Sequence, residues 1–340
     1  MAQMLLEQPM KAAIKIGYNS LEYSELEQKL HDVKENITPE MRRIVRSYED
    51  DPSLRRIILN GIPKEGSYHR GSLISISSGA RGEKEDISLA AAGELFYWAT
   101  AWLDDIADDN TFRQTVQSVR KSAGDGVAMY SSNVLYGIVM RAIMDQFRNT
   151  PIKLARILDY VSHNFYIINK GQARDMLLAQ KPLRDVSVQD YIKLIEETTG
   201  VDVATSLAIG GISAELDEET QQNLYGFGLN LGTLAQIRDD VLDYCDAKDS
   251  EGNYIIGKLP FRDSETGKKR LPLLLTGDAN MRRIPDMVYD QIENDFITKR
   301  RNDAEAYIDG ANINEDSKQL LRGILKYWSD IRLFQQLASN

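Results

Sequence analysis

An all-α fold is what the sequence predicts, and three observations predict it. Apolar stretches such as 86–102 and 219–243 run well past the length of a strand. No strand-rich region appears anywhere along the 340 residues. The breaks between stretches fall at prolines and hydroxyl-bearing caps, which is how helices start and stop.

The elements follow in order. LEYSELEQKLHDVKEN, at 21–36, reads as a polar helix facing solvent. Thr38 is placed to cap a new helix with Pro39 in its first turn. Gly61, Pro63 and Gly66 mark a loop. The run Asp86 to Trp102 is apolar nearly all round, which requires a buried helix. Two more helices are expected at roughly 125–149 and 151–178, punctuated by Pro151. Lys181-Pro182 breaks the next, and Ser187 caps a helix running toward Thr199. A long apolar helix then spans Glu219 to Asp243. Residues 248–270 form one polar, glycine-containing loop, and a stretch of that length is usually functional or disordered. The tail, 281–336, returns to amphipathic helix. A single domain over 1–340 is expected.

Composition excludes several classes of function. The net charge of −10, with no basic stripe, argues against nucleic acid and against an anionic membrane surface. One cysteine, Cys245, precludes an internal disulfide framework and suits a reducing compartment, so a cytoplasmic location is expected. The N-terminal stretch has no signal-peptide pattern, and no run of 18 uninterrupted apolar residues predicts a transmembrane span.

The chemistry concentrates in two acidic clusters. LDDIADD places Asp104, Asp105 and Asp108 at the end of an apolar helical run, with Asp104 and Asp108 on one face. Like charges so placed repel, and a helix C-terminus is itself partly negative. QIRDDVLDY repeats the arrangement with Asp239, Asp240 and Asp243. Two such clusters are hard to explain as solvated surface; each calls for a cation. Carboxylates without nearby His or Cys are hard oxygen ligands, which suit Mg²⁺ or Mn²⁺ and leave coordination positions for phosphate oxygens. Facing each other, the clusters would hold a diphosphate between metal ions. Five of the six cations in the 248–270 loop (Lys258, Arg262, Lys268, Lys269, Arg270) are placed to close over an anion.

At these residues the chain resembles the trans-isoprenyl diphosphate synthases, the farnesyl and geranylgeranyl diphosphate synthase family, over roughly 60–280. DDIAD at 104–108 is similar to the first aspartate motif, followed by Arg113 where the family has the first of two arginines. NKGQARD resembles the family's G-Q-x-x-D and places Gln172 and Asp175. QIRDDVLD resembles the second motif, with Gln236 ahead of the aspartates. GKLPFRDSETGKKRLPLL resembles a distal loop pattern giving Lys258, Asp263 and Lys268. The resemblance implies an isoprenoid synthase-type helical bundle around a deep central cavity, usually a homodimer. It also implies three Mg²⁺ ions and an allylic prenyl diphosphate substrate. The diphosphate-binding residues it implies are Arg113, Lys258, Lys268, Gln172, Gln236 and Arg70.

Departures from the family gather at the site for its second substrate, isopentenyl diphosphate. In GSYHRG, Arg70 remains but Ser67 stands at the lysine position. Tyr97 replaces a His or Gln, Gln114 replaces the second arginine, and Thr198 replaces a lysine. A hydrogen bond to a charged group is worth roughly 1.5–3 kcal/mol, so losing two cations weakens binding by about two to four orders of magnitude. The expected function is therefore Mg²⁺-dependent ionisation of an allylic diphosphate, with C15 or C20 favoured. Capture of the cation is then intramolecular, as in a terpene synthase, or by another acceptor. The alternatives are a chain-elongating synthase and a non-catalytic prenyl-diphosphate-binding subunit.

Other residues carry less. Phe96, Tyr97, Trp98 and Phe165 offer ring faces to a cation, with core packing the plainer role for each. The resemblance implies a cavity floor one or two turns before the first motif, where Ala99 and Thr100 are small and Phe96 and Tyr97, about a turn deeper, are placed to supply it. Asp109 faces away from the metals. His31, His69 and His163 show no ligand spacing, and Cys245 reads as a small buried residue.

Overall fold

The computed structural model describes residues 24–63, 68–113, 116–246, 248 and 260–332. Helices dominate from the start. Helix α1 spans Ser24–Tyr48 and runs straight through Pro39. The helix start expected at Thr38 is thus absent. Burial explains it, because Ile37, Met41, Ile44 and Val45 are all inside and hold one continuous face against the core. Thr38 spends its hydroxyl on the Lys34 carbonyl, 3.0 Å away, rather than on a cap.

Helix α2, Pro52–Gly61, is capped by Asp51, and α3 spans His69–Ser78. Gly61 closes α2 rather than lying in a loop, since a Cβ there would meet Val119 at 2.5 Å and Trp102 at 2.8 Å. Helix α4, Ile87–Ala107, is capped by Asp86 and buries Leu89, Leu95, Trp98 and Trp102, as its all-round apolarity requires. A two-residue antiparallel ribbon, β1 (Phe112–Arg113) and β2 (Val116–Gln117), follows. After α5, Val119–Ala123, come α6, Asp125–Gln146, and α7, Pro151–Ala179, parted at Pro151 as expected.

Helix α8, Val188–Ile195, starts in a capping box built by Ser187 and Asp190. It does not stop at Thr199. A π-turn over Glu196–Gly200 passes it into α9, Val201–Ser213. Helix α10 spans Glu218–Leu242 and is capped by Asp217. It crosses α9 closely at Gly228, where a Cβ would lie 2.6 Å from the Ala204 backbone. The short helices α11, Arg262–Glu265, and α12, Leu271–Thr276, lie beyond the loop. The tail breaks into α13, Asp286–Ile292, a π-turn, α14, Thr298–Gly310, and α15, Glu315–Trp328.

The described residues form two large apolar cores, one around α4, α6 and α7 and the other around α10, α14 and α15, and a small third of Leu178, Val186 and Leu194. Helix α9 serves both: Val203 and Leu207 enter one, Ile209 and Ile212 the other. Among the described residues, one helix, α6, is apolar and long enough to cross a membrane by length and composition. It packs against α4 through Ala128, Leu135 and Val139, all buried, as a core helix does.

Candidate active site

Both aspartate clusters sit where their helices end. Asp108 is the C-cap of α4 and Asp243 the C-cap of α10. In the first cluster, Arg113 reaches back from β1. Its Nε donates to Asp105 Oδ1 at 2.8 Å and its Nη2 to Asp104 Oδ2 at 3.0 Å. Asp105 is buried, and its Oδ2 has no partner within the protein. Burial pushes its pKa up to about 6, against the pull of Arg113. Asp109 turns outward, as expected, and there pairs with Arg120.

In the second cluster, Asp240 is wholly buried. It accepts from the Tyr191 hydroxyl at 2.7 Å and from Gln236 Nε2 at 2.8 Å. Thr199, on the π-turn, fixes the other end of Gln236 by donating to its Oε1 at 2.7 Å. Burial raises Asp240 to about 7 even though Arg270 pulls it down. Asp243 is buried and takes the Phe261 amide on its carbonyl at 2.7 Å. Asp239 is exposed.

A chain of alternating charge joins the two clusters. Lys268 Nζ lies 2.7 Å from Asp108 Oδ2 and 3.6 Å from Asp175 Oδ2. Asp175, on α7, takes both Arg270 Nη groups, at 2.9 and 3.0 Å. The Arg270 Nε in turn stands 3.7 Å from Asp240 Oδ1 and 3.4 Å from Asp263 Oδ2. Burial and Arg270 depress Lys268, but Asp104, Asp108 and Asp175 outweigh them and leave it raised and charged. Asp108 of one cluster and Asp240 of the other are therefore linked through a short bridge carrying two cations. Arg270 is its central member, which the sequence pattern offered only as one of five loop cations.

Carboxylate oxygens are the donors here, and the buried, unpartnered Asp105 Oδ2 is a ready ligand atom, so the residues fit Mg²⁺ or Mn²⁺. In the present arrangement Arg113, Lys268 and Arg270 hold the carboxylates. No group of three His, Cys, Asp or Glu side chains is gathered tightly enough for one ion among the described residues.

The remaining expected residues divide. Gln172 is half-buried on α7. Lys258, Ser67 and Gln114 lie outside the described residues. Arg70 is turned inward: its Nε donates to Asp202 Oδ2 at 2.6 Å, and its guanidinium lies 4.8 Å from the centre of the Tyr97 ring. Thr198 gives its hydroxyl to the Leu194 carbonyl. The motifs give Asp202 no role, although an acid inside the apolar run VDVATSLAIGG is a visible signal.

Of the aromatics, Phe96 lines a cavity between α3, α4, α6, α7 and α9. It meets Tyr136 and Phe165 edge to face, at 5.1 and 6.5 Å. Trp98 is core. His69 packs against Trp328, and burial, with Arg70 and Arg238 nearby, drops its pKa to about 3, so it is neutral. His31 and His163 are exposed, and Cys245 is half-buried rather than buried.

Fold and site together define a helical-bundle synthase whose two acidic helix ends are linked by that bridge. The chain belongs to the polyprenyl synthetase family, whose model matches residues 51–303. It is an enzyme of the prenyltransferase class. Similar relatives include the geranylgeranyl diphosphate synthase of Sulfolobus acidocaldarius, 28% identical over 68% of this chain and 72% of the relative. The geranylfarnesyl diphosphate synthase of Aeropyrum pernix is 28% identical over 65% of this chain and 68% of its own length. Among solved structures, a geranylgeranyl pyrophosphate synthase superposes with a TM-score of 0.75 at 22% identity, covering 88% of this chain and 98% of that one. A polyprenyl synthase from Caulobacter crescentus CB15, complexed with calcium and isoprenyl diphosphate, gives 0.72 at 20% identity over 91% and 96%. The named relatives are prenyl diphosphate synthases, which favours the chain-elongating alternative above the non-elongating function expected from the departures.

Proposed function

We propose that this enzyme ionises an allylic prenyl diphosphate, C15 or C20 in length, between its two aspartate clusters. The observation that carries the reading is the unbroken sequence Asp108–Lys268–Asp175–Arg270–Asp240, which sets both clusters on one small volume. The diphosphate oxygens replace carboxylates as partners of Arg113 and Lys268, with Lys258, Gln172 and Gln236 completing the set; Arg70, expected among them, is instead committed to Asp202. The allylic C–O bond breaks, and its electron pair leaves with the diphosphate. Three Mg²⁺ ions, or Mn²⁺, on Asp104, Asp105, Asp108, Asp239, Asp240 and Asp243 would supply Lewis-acid stabilisation of that leaving charge. The apolar wall around Phe96 keeps water from the cation.

Elongation with isopentenyl diphosphate is the fate that the relatives support. A second reading, capture without that substrate, is favoured by one observation: Arg70 is already paired by Asp202 and covered by Tyr97. Geranyl, farnesyl and geranylgeranyl diphosphates, each incubated with protein and Mg²⁺ with and without isopentenyl diphosphate, decide it. A longer diphosphate establishes elongation. Hydrocarbon or alcohol formed without the second substrate establishes the other fate. No diphosphate released in any arm sinks both, and leaves a non-catalytic subunit.

The protein is further read as a cytoplasmic homodimer. Exposed Phe165 and Tyr166 recur three turns later as exposed Met176 and Leu177, an apolar stripe along α7. Sedimentation at the mass of one chain would refute the dimer.

A further inference from the structure

Asp240 is 0% exposed, so bulk water does not orient its carboxylate and the protein has to. Three donors surround it. The Tyr191 hydroxyl donates to Oδ2 at 2.7 Å, Gln236 Nε2 donates to Oδ1 at 2.8 Å, and Arg270 Nε stands 3.7 Å from Oδ1. The last separation is too long for a hydrogen bond. Arg270 Nε is buried and has no hydrogen-bond partner among the described residues. A charged donor makes the stronger bond to a carboxylate. Two neutral donors therefore hold Asp240 short of the cation beside it.

One segment fixes both of those donors. Tyr191, on α8, is 0% exposed, and its ring belongs to the apolar core that holds Ile237, Val241 and Leu271. Further along the same segment, Thr199 donates to Gln236 Oε1 at 2.7 Å, which turns Nε2 toward Asp240. In an unbroken α-helix the residue two turns beyond Tyr191 is Thr198. The π-turn over Glu196–Gly200 admits one residue more, so Thr199 takes that place facing α10. Helix α10 presses on the turn, since a Cβ on Gly232 would lie 2.5 Å from the Thr199 carbonyl oxygen.

We propose that Tyr191, with Gln236 and Thr199 behind it, is the positioning residue that holds Asp240 off Arg270 and so keeps its carboxylate for a divalent ion. Each oxygen retains a lone pair beyond the one that Tyr191 or Gln236 fills. Without the hydroxyl, the carboxylate closes onto Arg270 Nε, and an ion has to displace a guanidinium to use it. The proposal rests on the placement of Asp240 among the metal-holding residues above.

The test titrates wild type and Tyr191→Phe, full chain, with Mn²⁺ in the presence of inorganic pyrophosphate. Free Mn²⁺ is read by electron paramagnetic resonance against a protein-free blank containing pyrophosphate. The weakest-bound ion is expected to lose about ten- to a hundredfold in affinity in the variant, as loss of a partner behind a metal ligand does. The Mg²⁺ concentration for half-maximal diphosphate release should rise to match, with the rate at saturating Mg²⁺ within about twofold of wild type. A Mn²⁺ curve that overlays wild type overturns the proposal even if the melting temperature drops, because lost packing moves only the latter. A lowered saturating rate at an unshifted Mg²⁺ midpoint overturns it equally. Thr199→Val, which releases the far end of Gln236, should shift both curves the same way by less. Should Tyr191→Phe not fold, unshifted curves in Thr199→Val decide against the proposal. A wild type that takes up no Mn²⁺ with pyrophosphate overturns the earlier reading of the site and this one with it, and is told apart by that alone.

Discussion

Replacing Arg270 by methionine keeps most of the side chain's stem and deletes its charge. The guanidinium is 9% exposed and is forked onto Asp175, with Asp240 and Asp263 within 3.7 Å. Removing one partner of a buried ion pair costs about 3–5 kcal/mol, because a carboxylate is left inside without compensation. Three carboxylates share this cation, so the upper half of that range is expected. At roughly 2 °C per kcal/mol, the low end for a chain this long, the melting temperature falls by about 8–10 °C. Urea unfolding without metal, monitored by circular dichroism, measures the loss directly. Taking away the other partner as well, in Arg270→Met with Asp175→Leu, should recover part of it, since an apolar pair is often as stable as a buried ionic one. A single variant within about 1 kcal/mol of wild type, or a double variant worse than the single, would refute the reasoning.

Other outcomes follow from the same geometry. Glu94 is buried with one oxygen unpartnered, and burial raises its pKa from 4.5 to about 7. The folded protein therefore holds that proton more tightly than the unfolded chain, and the stabilisation, present below pH 4.5, is lost as pH rises through 7. Glu94→Gln should make the decline in unfolding free energy shallower by up to about 3 kcal/mol, and a pH–stability curve parallel to wild type would contradict this. Asp104→Asn should cut Mg²⁺-dependent diphosphate release by at least about 10²-fold with the far-ultraviolet spectrum unchanged; activity within a few-fold of wild type would remove Asp104 from the site. In Gly228→Ala the new methyl meets the Ala204 backbone at 2.6 Å, so α9 and α10 are forced apart at about 1–3 kcal/mol. An unshifted urea midpoint would show that the crossing has slack.

Much of this protein is legible in one dimension. Apolar periodicity gives α4, α6, α7 and α10 to within a few residues, and Ser187 caps α8 as its spacing promises. The two D-D-x-x-D clusters show themselves because both the repulsion of like charges and the helix end make them costly without a cation. Local signals mislead where packing outweighs them: Pro39 starts no helix because four buried neighbours carry α1 through it, and α8 continues past Thr199 by widening into a π-turn. What only the tertiary structure decides is partnership. Arg270 and Asp175 are 95 residues apart, and Arg70 and Asp202 are 132. No pattern along the chain ranks Arg270 above its loop neighbours or sets Asp202 against Arg70. Electrostatic energy depends on distance and burial in space, and sequence separation encodes neither.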